Sequence, residues 1–117
     1  LHLKYSSRKI NNKNKYKMNP QATPITLATG QSITKNIVGK DGMGVVGPIT
    51  GLQIYNIAGS NVTGALNTAT QTVTFTAVGY GTTTFTFKAV NANNVAVYVD
   101  QQVINPTPII VTVLEIN

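Results

Sequence analysis

Residues 71–90 read QTVTFTAVGYGTTTFTFKAV, and their alternation decides the fold class. Val73, Phe75 and Ala77 alternate with Thr72, Thr74 and Thr76. Further on, Thr83, Phe85, Phe87 and Ala89 alternate with Thr82, Thr84, Thr86 and Lys88. Successive side chains of a strand point to opposite faces, so a period of two places one face on a core and the other in water. Gly79 and Gly81 flank the turn between the two runs. The expected unit is therefore a β-hairpin. Its inner faces carry Phe75, Phe85 and Phe87, which are all three phenylalanines of the chain.

Outward from that stretch, turn signals recur every 8–12 residues, as in β-sandwiches. The pattern predicts short strands over 25–28, 31–38 (Ile33 and Ile37 inward) and 49–57 (Leu52, Ile54 and Ile57 apolar). Residues 39–44, GKDGMG, form a glycine-rich loop whose Asp41–Gly42 pair signals a tight turn. The loop lacks the length and trailing Lys–Ser/Thr of a phosphate-binding loop. Residues 59–70 read as a turn-rich crossing with Val62 and Leu66 tucked inward. Asn61, Val62 and Thr63 match a glycosylation sequon, which matters only in a eukaryotic secretory setting. A polar turn at 91–94 leads into a strand running to about Val103, with Val95, Val97 and Val99 on one parity. Pro106 and Pro108 then break the ladder. Residues 109–116, IIVTVLEI, are expected to close the chain as a last strand, apolar on both faces.

With 117 residues the chain suits one domain with a modest core. Its charged fraction is 10%, against about 25% in globular chains generally. Threonine and asparagine carry the polarity instead, the first suited to strands and the second to turns. The net charge of +6 is local. Lys4, Arg8, Lys9, Lys13, Lys15 and Lys17 lie in a basic arm, residues 1–20, without an acid among them. In the remainder, residues 21–117, Lys35, Lys40 and Lys88 balance Asp41, Asp100 and Glu115.

The arm has two readings. It is a solvated leader, with Met18 as a conceivable start, or it anchors the domain on an acidic or phosphate-bearing surface through those six cations. Tyr5 and Tyr16 could stack on bases, so nucleic acid is an expected partner only in a non-specific, salt-sensitive sense. The start at Leu1 is expected of a truncated, processed or extended chain.

The chain has no cysteine, which excludes disulfides, thiolate catalysis and cysteine metal sites. No window reaches the ~20 apolar residues of a helical membrane span. Nucleophilic hydrolysis needs a base beside its nucleophile, yet the single histidine is His2, in the arm. Glycosidases need two facing carboxylates, and calcium needs six to eight oxygens. Three dispersed acids suit neither, although Asp100 with backbone carbonyls remains open for calcium. The residues therefore suggest no catalytic site, no cofactor and no metal.

The strand over 72–77, the AVGYG turn and the Thr-rich partner strand resemble the bacterial immunoglobulin-like domain family, over roughly residues 24–116. The antibody-type hallmarks, a cysteine pair and a buried tryptophan, are missing. The resemblance implies an all-β, immunoglobulin-like β-sandwich of about seven or eight short antiparallel strands behind an extended basic arm. It also implies a corner role for Tyr80, beside the plainer reading of a surface tyrosine. Such domains are similar to those of tailed-phage virion proteins and bacterial surface adhesins, which implies structural or adhesive work without chemistry. The leading expectation is a virion structural protein, decorating or cementing a capsid in many copies through neighbouring shell proteins. The alternative is a module of a secreted bacterial cell-surface adhesin.

Overall fold

A computed structural model describes residues 19–117. These residues form nine strands: β1 Ile25–Thr26, β2 Ser32–Asn36, β3 Gly39–Lys40, β4 Val46–Gly47, β5 Thr50–Ala58, β6 Val62–Asn67, β7 Thr72–Ala77, β8 Gly81–Val90 and β9 Ala96–Asn105. The fold is all-β, and among the described residues no helix is long and apolar enough to cross a membrane. A four-stranded sheet has the order β1-β9-β8-β5, a three-stranded sheet the order β2-β7-β6, and β3 pairs with β4 alone. Pairing is antiparallel throughout, except that β1 runs parallel to β9.

The alternation in residues 71–90 assigns faces correctly. Val73, Phe75, Ala77, Thr83, Phe85, Phe87 and Ala89 are all buried. The expected hairpin, however, does not form. β7 pairs with β2 and β6, whereas β8 pairs with β5 and β9. The segment is a crossover that carries the chain from one sheet to the other, with the N–H groups of Val78 and Gly79 donating to the carbonyl of Asn61 (2.9 and 3.0 Å). A period of two specifies which face is buried but not which strand lies alongside. The phenylalanines join the two sheets: the ring of Phe75 on β7 lies 4.9 Å from that of Phe85 and 6.3 Å from that of Phe87, both on β8. Around them pack Val62, Val103 and Leu27, with Ile33, Ile37, Ile54, Leu66 and Val99 half-buried at the margin.

Three further expectations are corrected. Residues 59–70 are not a crossing, because they contain β6, paired with β7 from Val62↔Ala77 to Asn67↔Thr72. Glycine and asparagine masked that strand, and Gly64 is there for packing reasons. Ile57 is exposed rather than a core contributor, since irregular register within β5 turns its end outward. Residues 109–116 join no strand, and their aliphatic side chains are exposed. The two prolines before them carry the chain away from the sheets. Tyr80 is exposed as well.

Outside the core, hydroxyls reinforce the pairing. Ser32 meets Thr76 and Thr34 meets Thr74 across β2 and β7, with oxygens 2.7 and 2.8 Å apart. Each is a cross-strand pair in register, the geometry in which such contacts add stability.

Candidate binding cleft

Two hairpin turns built on one plan frame a concavity of the fold. In the first, the N–H of Asp41 donates to the carbonyl of Val45 and that of Gly44 to the carbonyl of Asp41. The Asp41 carboxylate accepts from the N–H groups of Met43 and Val45, both at 2.9 Å. In the second turn Asn91, Asn93, Asn94 and Val95 repeat the scheme. The amide oxygen of Asn91 accepts from the N–H of Asn93 (2.9 Å) and of Val95 (3.0 Å). The fourth residue of each turn is left-handed, Gly44 at φ 84° and Asn94 at φ 62°. Gly42 is not, so the tight turn expected at Asp41–Gly42 is a longer one steered by the aspartate side chain.

Between these turns lies a cleft of about 490 Å³. Ile37, Ile49, Leu52, Phe87, Val97 and Val99 supply its apolar lining, with Lys40 and Asp41 on the β3 side. Val97 has the inward parity of β9 but stays 41% exposed, because nothing among the described residues covers it. The backbone N–H of Val45, and after it that of Met43, hold the Asp41 carboxyl below its usual pKa, since they stabilise its charged form. Both bonds fall on Oδ1 of the carboxylate. Such a cavity, apolar with few polar groups at its edge, suits an apolar side chain or segment better than a charged small molecule.

Asp100 forms a separate polar centre. Its carboxylate accepts from the Thr86 hydroxyl (2.7 Å), the Asn19 amide (3.2 Å) and the Gln21 amide (3.0 Å). Its own N–H donates to the Pro20 carbonyl, and its carbonyl accepts from the Ala22 N–H. The Thr86 bond is the main cause of a lowered Asp100 pKa; desolvation opposes it, and the Asn19 and Gln21 bonds assist. These contacts fasten residues 19–22 along β9, where the arm joins the folded part. A third cluster is on the outer sheet face: the Lys88 ammonium sits 5.2 Å from the Tyr55 ring centre and 5.9 Å from that of Tyr98.

The six cations expected to bind a partner, Lys4, Arg8, Lys9, Lys13, Lys15 and Lys17, lie outside the described residues. Asp41 and Asp100 sit in unrelated places, and among the described residues no three His, Cys, Asp or Glu gather as metal ligands. Sequence reasoning missed the cleft. Its available signals were Val97, an inward-parity valine near a strand end, and the glycine loop at 39–44, which proves to be one wall. No protein-family model matches the chain, and no curated protein matches it.

Proposed function

We propose that the protein is a non-catalytic structural subunit of a virion, an immunoglobulin-like β-sandwich that decorates or cements a capsid and is held there by its basic arm. The observation that carries the reading is the strand order. In an immunoglobulin-like sandwich the second, fifth and fourth strands share one sheet, and the third, sixth and seventh share the other. β2-β7-β6 and β5-β8-β9 match that scheme, with β1 at the edge of the second sheet and the β3–β4 hairpin inserted after β2. The contacts of Phe75 with Phe85 and Phe87 support a face-to-face arrangement. A structural role is supported further by the polar inventory, in which Asp41 and Asp100 are both occupied by bonds within the fold. The Asp100 clasp supports the anchoring part, because it fastens residues 19–22, at the junction with the arm, along β9.

The test is co-sedimentation with purified capsids of chains with and without residues 1–17. Deletion is expected to abolish binding, and raising ionic strength is expected to weaken that of the intact chain. Unchanged binding by the shortened chain would remove the arm from the reading. Recovery of the protein from a bacterial cell-surface fraction, and not from particles, would favour the adhesin module instead.

A further inference from the structure

Among the described residues, an apolar segment lacks a partner and an apolar cleft lacks a cover. Within residues 109–116, Ile109 is 96% exposed, Leu114 91% and Ile116 102%; Ile110, Val111 and Val113 are also exposed. Six aliphatic side chains in eight residues, rich in β-branched types, make a strand-competent run that water solvates poorly. The cleft offers what the run lacks. Its floor is aliphatic and aromatic, and along one side β9 presents an edge. Asp100 and Ile104 turn their backbone groups outward, toward residues 20–22 and Leu27. By alternation Ala96 and Tyr98 do the same, and on that edge, opposite β8, no described strand residue is paired with them.

Within one chain the two do not meet, since the aliphatic side chains of residues 109–116 stay exposed. Val97 and Val99 line the cleft near the start of β9, whereas residues 109–116 follow its far end at Asn105. Six residues separate Val99 from Asn105, about 20 Å at ~3.3 Å per strand residue. Donor and acceptor thus lie at opposite ends of one strand. Charge agrees with the match. The single ionisable side chain of residues 109–116 is Glu115, and the cleft lining includes Lys40 and Lys88 against one acid, Asp41.

We infer that residues 109–116 of one copy add as a strand to the β9 edge of a second copy, filling its cleft with Val111 and Val113 and bringing Glu115, on the same face of that strand, to Lys40. Main-chain bonds to the edge supply affinity, and the pocket selects the side chains. The contact is head-to-tail, so it builds rings or open chains of subunits. It is independent of capsid binding and would hold equally for a surface protein.

The test uses the full chain, followed by light scattering across a concentration series. Concentration-dependent assemblies larger than a dimer are expected. Val113→Asp in the donor, or Val97→Asp in the cleft, is expected to leave a monomer; both positions are exposed, so folding should persist and circular dichroism would check it. Mixed together, the two variants are expected to form a 1:1 dimer and nothing larger, because only one productive contact survives. Glu115→Lys and Lys40→Glu should each weaken assembly about tenfold, and the pair together should restore it. A wild-type chain that stays monomeric at every concentration would overturn the inference. So would assemblies that survive Val97→Asp. In a further arm, a synthetic peptide of residues 107–117 is added to a chain ending at residue 106. Failure to bind overturns the proposal, and so does binding that appears only after residues 1–18 are removed, since the arm would then be the occupant.

Discussion

A Cβ built at Gly64 would lie 2.7 Å from Cε2 of Phe85, inside any real contact distance. The glycine therefore lets an aromatic ring of one sheet rest on the backbone of β6 in the other. Gly64→Ala is expected to cost about 1–3 kcal/mol, the usual penalty for overpacking a tight core. In a Phe85→Leu background the same change should cost less, and urea denaturation of the four chains would measure the coupling. Phe85→Ala alone should cost roughly 3–5 kcal/mol; a near-neutral result would mean the ring is not in the core. Asn105 sets a second residue-level constraint. It is buried, and its amide donates to the Gly79 carbonyl (2.6 Å) and the Thr29 hydroxyl (2.9 Å). Its oxygen finds no hydrogen-bond partner among the described residues. Asn105→Asp would aim a buried carboxylate at a carbonyl, with an expected cost on the order of 3 kcal/mol at pH 7. Part of that loss should return near pH 4, where a protonated carboxyl can donate.

At the scale of elements, the two matched turns explain how unlike sequences, DGMGV and NANNV, give one geometry. Each begins with a side-chain oxygen that caps N–H groups two and four residues on, and each needs a left-handed fourth residue. Asn91→Asp should therefore be nearly neutral, while Asn91→Ala should cost about 1 kcal/mol for the lost bonds. Thermal unfolding of both would distinguish a working cap from an incidental contact. The same elements mark how far sequence could be read. Alternation exposed the buried faces of β7, β8 and the latter part of β9, because burial imposes period two directly. It could not show that β7 and β8 lie in different sheets, since partner choice depends on contacts distant in sequence. β6 was hidden by Gly64 and Asn67, residues that ordinarily announce turns. The cleft was illegible for a related reason: it arises where two hairpins stand apart, and no local pattern encodes their spacing.

For the whole molecule, the scarcity of ionisable groups outside the arm predicts an unusually simple dependence of stability on pH. Asp41 and Asp100 both have lowered pKa values in the fold, the first through the N–H groups of Val45 and Met43, the second chiefly through the Thr86 hydroxyl. A carboxyl with a lower pKa folded than unfolded makes the unfolded chain bind more protons in acid. Its stabilising effect is complete above the unfolded value, about 3.9 for aspartate, and disappears as pH falls through the folded value. Stability should thus be level from about pH 5 to 8 and decline below about pH 4. Asp41 is exposed and Asp100 only half-buried, so the decline should be shallow and further softened by salt. Asp100 allows the decline to be assigned, because an asparagine in its place would keep an amide near Thr86 while removing the titration. The Asp100→Asn chain is expected to be slightly less stable at pH 7 and to lose less on acidification, so that the two curves converge near pH 2. Chemical denaturation at stepped pH would check this. A decline that begins above pH 5 would place the controlling proton elsewhere. Parallel curves for the two chains would show that the Asp100 clasp does not hold residues 19–22 through its charge.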